Sequence, residues 1–452
     1  MMQKMRMTRR GVLTALFATL PLLTLTGCPS GGGEKTGGEA PTNTTASGGG
    51  DKKLVIAWAK WDPADNLQKL TEEFTKETGI KVEVNQIPWS DFETKINAAW
   101  TGKSAEFDMV VGDSQWLGNG STGGHYVDLT DWVNDPANFP KTDNEEAALK
   151  NYGEYGGKLY GIPCMADAIG FAYRKDLFED AKNKEAFKTK YKRDLGVPTT
   201  WDEFQQVAEF FTKDGTFGCA LFYSKEVDGV TMGFDQVLWA FGGSYTKDGK
   251  ATGAINSPEA IKALEFYVGL KKFSPPGAET FYFNECNTAF QEGKVAMAEN
   301  WFAFMPALVD KAKNKFADQT GYFVVPKGPV GQFVSLGGQG LSLSSYSKNT
   351  DDAKKFMAWF SKEDTQKKWV ALGGLTANKK VSATDEFKKA NPYNETFAKS
   401  VPFLKDFDNS PKYTELLKVT QEELFLAASG TKSPKDALDE IAKKHDAVLS
   451  AQ

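Results

Sequence analysis

The sequence predicts an α/β fold built on a parallel sheet, and three neighbouring segments carry that expectation. Residues 53–61 (K-L-V-I-A-W-A-K-W) form an apolar run of strand length. Asp62-Pro63-Ala64-Asp65 then supplies an N-cap, a proline in the first helical turn and an acid beside it. Leu67, Leu70 and Phe74 mark the buried face of that helix, and Gly79 ends it. Residues 80–84 (I-K-V-E-V) alternate as a second strand. A strand–helix–strand unit of this length implies a parallel sheet, whose ligands lie outside the carboxyl ends of the strands. That rule puts Trp61 and Asp62, and after the next strand Trp89 and Asp91, at the edge of a cleft.

Composition narrows the function classes. The 452 residues are 40% hydrophobic and 25% charged, as in ordinary globular proteins, and the length suits two to three domains. Net charge is −5, although the first 27 residues carry Lys4, Arg6, Arg9 and Arg10 and no acid, so the remainder is more acidic still. An acidic chain without basic clusters is a poor partner for nucleic acid. The two histidines, His125 and His445, leave little for histidine-centred metal or triad chemistry, and no cofactor is expected. Of the four cysteines, Cys28 is set apart below. Cys164, Cys219 and Cys286 then allow at most one internal disulfide, with no pair favoured and no metal-binding spacing.

Residues 1–27 read as an export signal: a basic start, then an apolar run too short to span a bilayer. Its end, Leu25-Thr26-Gly27-Cys28, resembles the lipobox of bacterial lipoproteins, which implies lipidation of Cys28 and a membrane-anchored, exported protein. Thr8-Arg9-Arg10-Gly11-Val12-Leu13 resembles a twin-arginine signal, and the general or twin-arginine route stays open. Residues 28–52 are rich in Gly, Ser and Thr and have the composition of a flexible tether.

Further along, residues 101–104 contain G-K-S, but they follow a helical pattern where a phosphate-binding loop would follow a strand, so they read as a polar loop. Residues 107–111 form a strand leading into Gly112-Asp113-Ser114-Gln115-Trp116. Asp113 there has the chemistry to cap the next helix. His125, in a glycine-rich loop, reads as structural. Thr200 and Glu203 have the spacing of a capping box, opening a helix with Phe204, Val207, Ala208 and Phe211 inward. Residues 217–222 form a strand, and residues 234–241 a helix in which Trp239 either reaches the cleft or fills the core. Ser257-Pro258-Glu259 starts a further helix. Residues 290–304 hold a polar turn, the buried strand Val295-Ala296-Met297-Ala298, then Glu299, Asn300 and Trp301. An aromatic face beside polar groups suits a neutral ligand rich in hydroxyls.

Several of these segments together resemble the family 1 extracellular solute-binding proteins of bacterial ABC importers. They are F-T-K-E-T-G-I-K-V-E-V at 74–84, F-D-M-V-V-G-D-S-Q-W at 107–116, L-Y-G-I-P with Y-R-K-D-L-F within 159–178, P-T-T-W-D-E-F at 198–204, and F-x-x-G-K-V-A-M-x-x-N-W at 290–301. The resemblance runs from Leu54 to Leu449. It implies two α/β lobes, a periplasmic-binding-protein-like fold with three interlobe crossings and a type II-like hinge. The expected lobes are 54–163 plus 301–341, and 164–300 plus 342–452. Asp167 falls where the family often places a ligand-binding acid, with a structural salt bridge as the competing role. Gly338 and its neighbour let backbone approach a ligand, and Gln339 stands where many relatives carry an aromatic.

The implied function is capture of a sugar, short oligosaccharide or polyol between the lobes, and its delivery to a membrane permease by a monomeric, non-enzymatic protein. Candidate ligand contacts are Trp61, Asp62, Trp89, Asp113, Gln115, Trp116, Asp167, Trp239, Asn300, Trp301, Gly338 and Gln339. The alternatives are a secreted glycoside hydrolase, since paired carboxylates beside tryptophans also describe such a site, and a binder of a non-sugar solute.

Overall fold

The computed structural model describes residues 52–451 apart from 227 and 408. The export signal, most of the tether and Cys28 lie outside the described residues.

The first unit forms as the pattern predicts. Strand β1 (Lys53–Ala59) leads into a helix over Asp62–Thr78, then β2 (Lys81–Ile87) pairs parallel with β1, Lys53 opposite Lys81 and Ala59 opposite Ile87. Leu67, Leu70 and Phe74 are buried, and Gly79 closes the helix at φ 73°, a left-handed conformation glycine adopts without strain. Asp62 is not the cap: Trp61 occupies that position, and no side chain bonds the first turn. The helix Trp89–Thr101 follows, then β3 (Met109–Asp113), parallel to β1.

Strand β4 (Gly161–Met165) lies at the far edge of this sheet. The chain then enters a second sheet through β5 (Ile169–Arg174), β6 (Phe217–Ala220), β7 (Val295–Trp301) and β8 (Thr320–Phe323). It returns as β9 (Gln339–Leu343), so the sheet orders are β2-β1-β3-β9-β4 and β8-β5-β7-β6. Two sheets, each with its own helices, make the two lobes of a periplasmic-binding-protein-like fold.

The expected crossings fall elsewhere in the chain. Trp301 does not open a return to the first lobe, because β7 is an inner strand of the second sheet, flanked by β5 and β6. The chain after it adds β8 antiparallel to β5. The return comes at 336–339, where β9 inserts between β3 and β4. Residues 342–452 are likewise not all second-lobe. The helices Thr350–Phe360 and Glu363–Ala371 cover the first lobe, with Phe356 edge-on to Phe74 at 5.1 Å and Lys368 paired with Glu73. The helix Asn394–Ser400 is back on the second lobe, Phe397 packing on Phe302. Three crossings remain, at shifted positions.

Other local expectations resolve as structure. Thr200 accepts from the Glu203 amide, but Glu203 reaches the Thr199 amide, one residue before the reciprocal position of a capping box. His125 stacks on Trp100 (4.8 Å, 6°) and bonds Tyr346, a structural role. Cys164, Cys219 and Cys286 are each buried and free. Among the described residues no helix is long and apolar enough to cross a membrane.

Glu299 is a buried acid in the second core. Fully buried in β7, it accepts from the Phe222 amide at 2.9 Å and contacts the Gln236 amide group, whose own oxygen has no partner. Burial pushes its carboxyl up to about 8. A protonated Glu299 can donate to that Gln236 oxygen if the amide is turned over, since amide orientation is an assignment. The stability carried by a protonated Glu299 is full below its unfolded value of about 4.5 and is lost as pH rises through about 8. Glu299→Gln removes that titration. Its unfolding free energy relative to the native chain should rise between pH 4.5 and 8, by at most about 1.4 kcal/mol per pH unit, and level off above. Denaturant melts of both chains across that range check this, and parallel curves would show Glu299 to be ionised in the fold.

Candidate functional site

The carboxyl ends of β1, β2 and β3 open on a cleft between the lobes, the place where ligands of such sheets lie. Trp61 follows β1, Trp89 follows β2, and Asp113 ends β3 with Gln115 just beyond. Asp113 accepts from the Gln115 amide (3.1 Å) and the Ser114 hydroxyl (3.3 Å), so it is both cap and cleft wall. Burial raises its carboxyl to about 6, against the hydrogen bonds it accepts. Gln339, at the start of β9 opposite Asp113, accepts from the Trp58 indole, which fixes the direction of its amide.

The chain between the sheets supplies Asp167, Leu336 and Gly337. Asp167 accepts from the amides of Ala168 (2.8 Å) and Ala303 (3.1 Å), and among the described residues no salt bridge holds it; burial takes its carboxyl well above the usual range. The glycine that matters here is Gly337. A Cβ on it would sit 2.3 Å from the Trp301 ring, so only a bare Cα lets that indole pack this close to the backbone.

The second lobe contributes Asp228, Met232, Tyr282, Phe283, Trp301 and Phe304. Asp228 precedes the buried helix Gly229–Ala240 at φ 61°, a conformation aspartate tolerates better than most residues. Its amide donates to Gln421 (3.2 Å), and its carboxyl accepts from Tyr282 and from Gln115 of the first lobe (3.5 Å). Burial lifts this carboxyl well above the usual range; the Tyr282 bond opposes the shift and the Asp113 charge adds to it. Phe283 and Phe304 stack at 4.3 Å, and Trp61 leans on Phe304 at 5.9 Å. The Trp61 indole N–H is buried without a partner, a donor available to a ligand.

The fold therefore brings seven of the sequence candidates to one cleft: Trp61, Trp89, Asp113, Gln115, Asp167, Trp301 and Gln339. Five lie elsewhere. Asp62 is exposed and lines a separate hollow behind the hinge. Trp116 is buried behind Trp89, nearly parallel to it at 6.1 Å, and supports that ring. Trp239 packs in the second lobe beneath Lys405. Asn300 spends its amide on the Phe283 carbonyl (2.9 Å), Asn287 (2.7 Å) and the Trp301 amide (2.9 Å), and so positions Phe283 and Trp301 from behind. Gly338 faces the Tyr152 hydroxyl, away from the cleft wall. Sequence reasoning missed Asp228, Met232, Tyr282, Phe283 and Phe304. The cue for two of them was the aromatic run 281–283 just before a helix.

Known proteins resemble the chain in family and fold. A family profile described as bacterial extracellular solute-binding protein matches residues 60–367. A probable amino-acid ABC transporter periplasmic-binding protein of Sinorhizobium fredii is 25% identical, covering 72% of each chain. A mannitol-binding protein of Pseudomonas aeruginosa is 29% identical over 55% of this chain and 54% of its own. A crystal structure of an ABC transporter solute-binding protein from Agrobacterium radiobacter, in complex with ribitol, is 26% identical. It superposes with a TM-score of 0.77 and covers 88% of this chain and 98% of that one.

Proposed function

The chain belongs to the bacterial extracellular solute-binding proteins, and from that premise we propose that it captures a sugar, short oligosaccharide or polyol in the interlobe cleft and hands it to the permease of an ABC importer. The observation that carries this reading is the pairing, in one cleft, of indole faces with buried acids and amides. Trp61, Trp89 and Trp301 offer flat apolar surface to the C–H faces of a carbohydrate, while Asp113, Asp167, Asp228, Gln115 and Gln339 meet its hydroxyls. Carboxyls with raised protonation ranges suit that task, because a protonated acid both donates and accepts. Lys60 is the one cationic side chain lining the cleft among the described residues. A free amino acid would also need a firm partner for its carboxylate, usually a guanidinium. The mannitol- and ribitol-binding relatives favour the same ligand class.

In this reading the protein performs no chemistry. Ligand touching both lobes favours the closed form, and the permease receives it. The lipobox-like end of the export signal supports attachment at Cys28, with residues 29–52 as the tether that lets the lobes reach the permease. Cys28→Ser should then move the protein from the membrane fraction to the soluble envelope fraction, and unchanged membrane retention would contradict the anchor.

Tryptophan fluorescence of the tether-free protein, titrated with mannitol, ribitol, maltose, glycine betaine and free amino acids, tests the ligand class. We expect saturation with a sugar or polyol, at least tenfold weaker (about 1.4 kcal/mol) in Trp301→Ala and unchanged in Trp239→Phe. Saturation with amino acids alone would overturn the carbohydrate reading. Release of reducing sugar from glycosides would make the protein a hydrolase.

A further inference from the structure

Behind the cleft, in the helical layer of the second lobe, lies a second cavity. The helices Tyr413–Ala428 and Pro434–Ser450 form two of its walls, Thr231 of the helix Gly229–Ala240 a third, and residues 245–249 the rim. Its character differs from that of the cleft. Leu416, Leu417 and Leu449 are apolar, the Phe407 and Tyr413 rings stack at 4.1 Å, and Tyr245 lies nearly parallel to His445 at 6.3 Å. No Asp, Glu, Lys or Arg lines it among the described residues.

Two polar atoms of this lining are unspent. The Thr231 and Tyr413 hydroxyls are both buried, their residues 2% and 7% exposed, and among the described residues neither has a hydrogen-bond partner. A buried hydroxyl left unmatched costs on the order of 1–3 kcal/mol, so two in one pocket mark a place built for a complementary polar group. The neighbouring polar groups are already committed: Tyr245 donates to Asp235 at 2.5 Å, and Thr420 and His445 bond each other and the Leu416 carbonyl.

We propose that this cavity is a second small-molecule site, for an uncharged ring compound, aromatic or alicyclic, carrying one hydroxyl or carbonyl. The stacked rings and leucines take the apolar body, and the Thr231 and Tyr413 hydroxyls take the polar group. The site is coupled to the cleft through two shared helices. Thr231 faces the cavity while its neighbour Met232 lines the cleft, and the Asp228 amide is held by Gln421 on the same helix as Tyr413 and Leu417. An occupant that stiffens these helices changes the closing equilibrium, and by linkage a cleft ligand changes its affinity in return.

Saturation-transfer NMR on the tether-free protein, with phenol and cyclohexanol as probes, tests the proposal independently of what the cleft binds. Both probes should give saturable transfer in the native chain and in Trp301→Ala, whose lesion lies in the cleft. Affinity for phenol should fall at least fivefold in Tyr413→Phe, and transfer should vanish in Leu417→Trp, which fills the cavity. Should Leu417→Trp fail to fold, Tyr413→Phe decides alone. Absence of saturable transfer in the native chain would mean that the cavity holds water only. Transfer unchanged in Tyr413→Phe, or lost in Trp301→Ala, would place the probe elsewhere. Each of these results overturns the site.

Discussion

Two short stretches of backbone, 166–168 and 336–338, cross between the sheets side by side, and the rest of the molecule hangs on their pairing. Ala168 and Leu336 form an antiparallel bridge, and the Gly337 amide donates to the Asp167 carbonyl at 3.1 Å. Because a bridge of this kind fixes both strands at once, it sets where β4 ends, where β5 begins and where β9 enters the first sheet. It also sets the floor of the cleft. The Asp167 side chain ties the hinge to the chain after β7 through the Ala303 amide, and the missing Cβ of Gly337 lets Trp301 lie on that floor. A hinge of two bonded strands can bend at its ends without losing its hydrogen bonds, which is what closure of two rigid lobes requires.

From that floor the chemistry of the cleft follows from burial. Three carboxyls, Asp113, Asp167 and Asp228, converge where water is scarce, so each holds its proton to higher pH than a surface acid. Such groups are expensive unless hydrogen-bonded, and the protein supplies only part of what they need. Asp228 is met by Tyr282 and reached across the cleft by Gln115. In the proposed reading a hydroxylated ligand would supply the remainder while its apolar faces meet the indoles. Energy spent on burying the acids would then be recovered on binding, favouring closure with ligand over closure without it.

Much of this architecture was legible in the sequence because it is local. The unit β1–helix–β2 follows from spacing, a proline near the helix start and Gly79, and the strand-end rule then leads to Trp61 and Trp89, while Asp113 and Gln115 follow from the family resemblance of residues 107–116. What failed was long-range. Trp116, Trp239 and Asn300 have the right chemistry for a sugar site, yet each is turned inward, since a bulky ring or an amide serves as well to support a neighbour. The second-lobe contacts Asp228, Tyr282 and Phe283 lie at helix starts, where no strand end announces them. The lobe boundaries slipped for a related reason: nothing in the run Thr320–Phe323 says which of two sheets it will join.

The central claim, that a hydroxylated solute is gripped by both lobes at once, is tested most directly by small-angle X-ray scattering of the tether-free protein. Data would be collected without solute and at saturation with whichever sugar or polyol binds. A smaller radius of gyration is expected at saturation, and no such change when the cross-cleft carboxyl is removed in Asp228→Ala and the ligand is raised to saturate the variant. A saturated native protein with the same radius of gyration as the free one would contradict it, leaving a cleft that binds through one lobe alone.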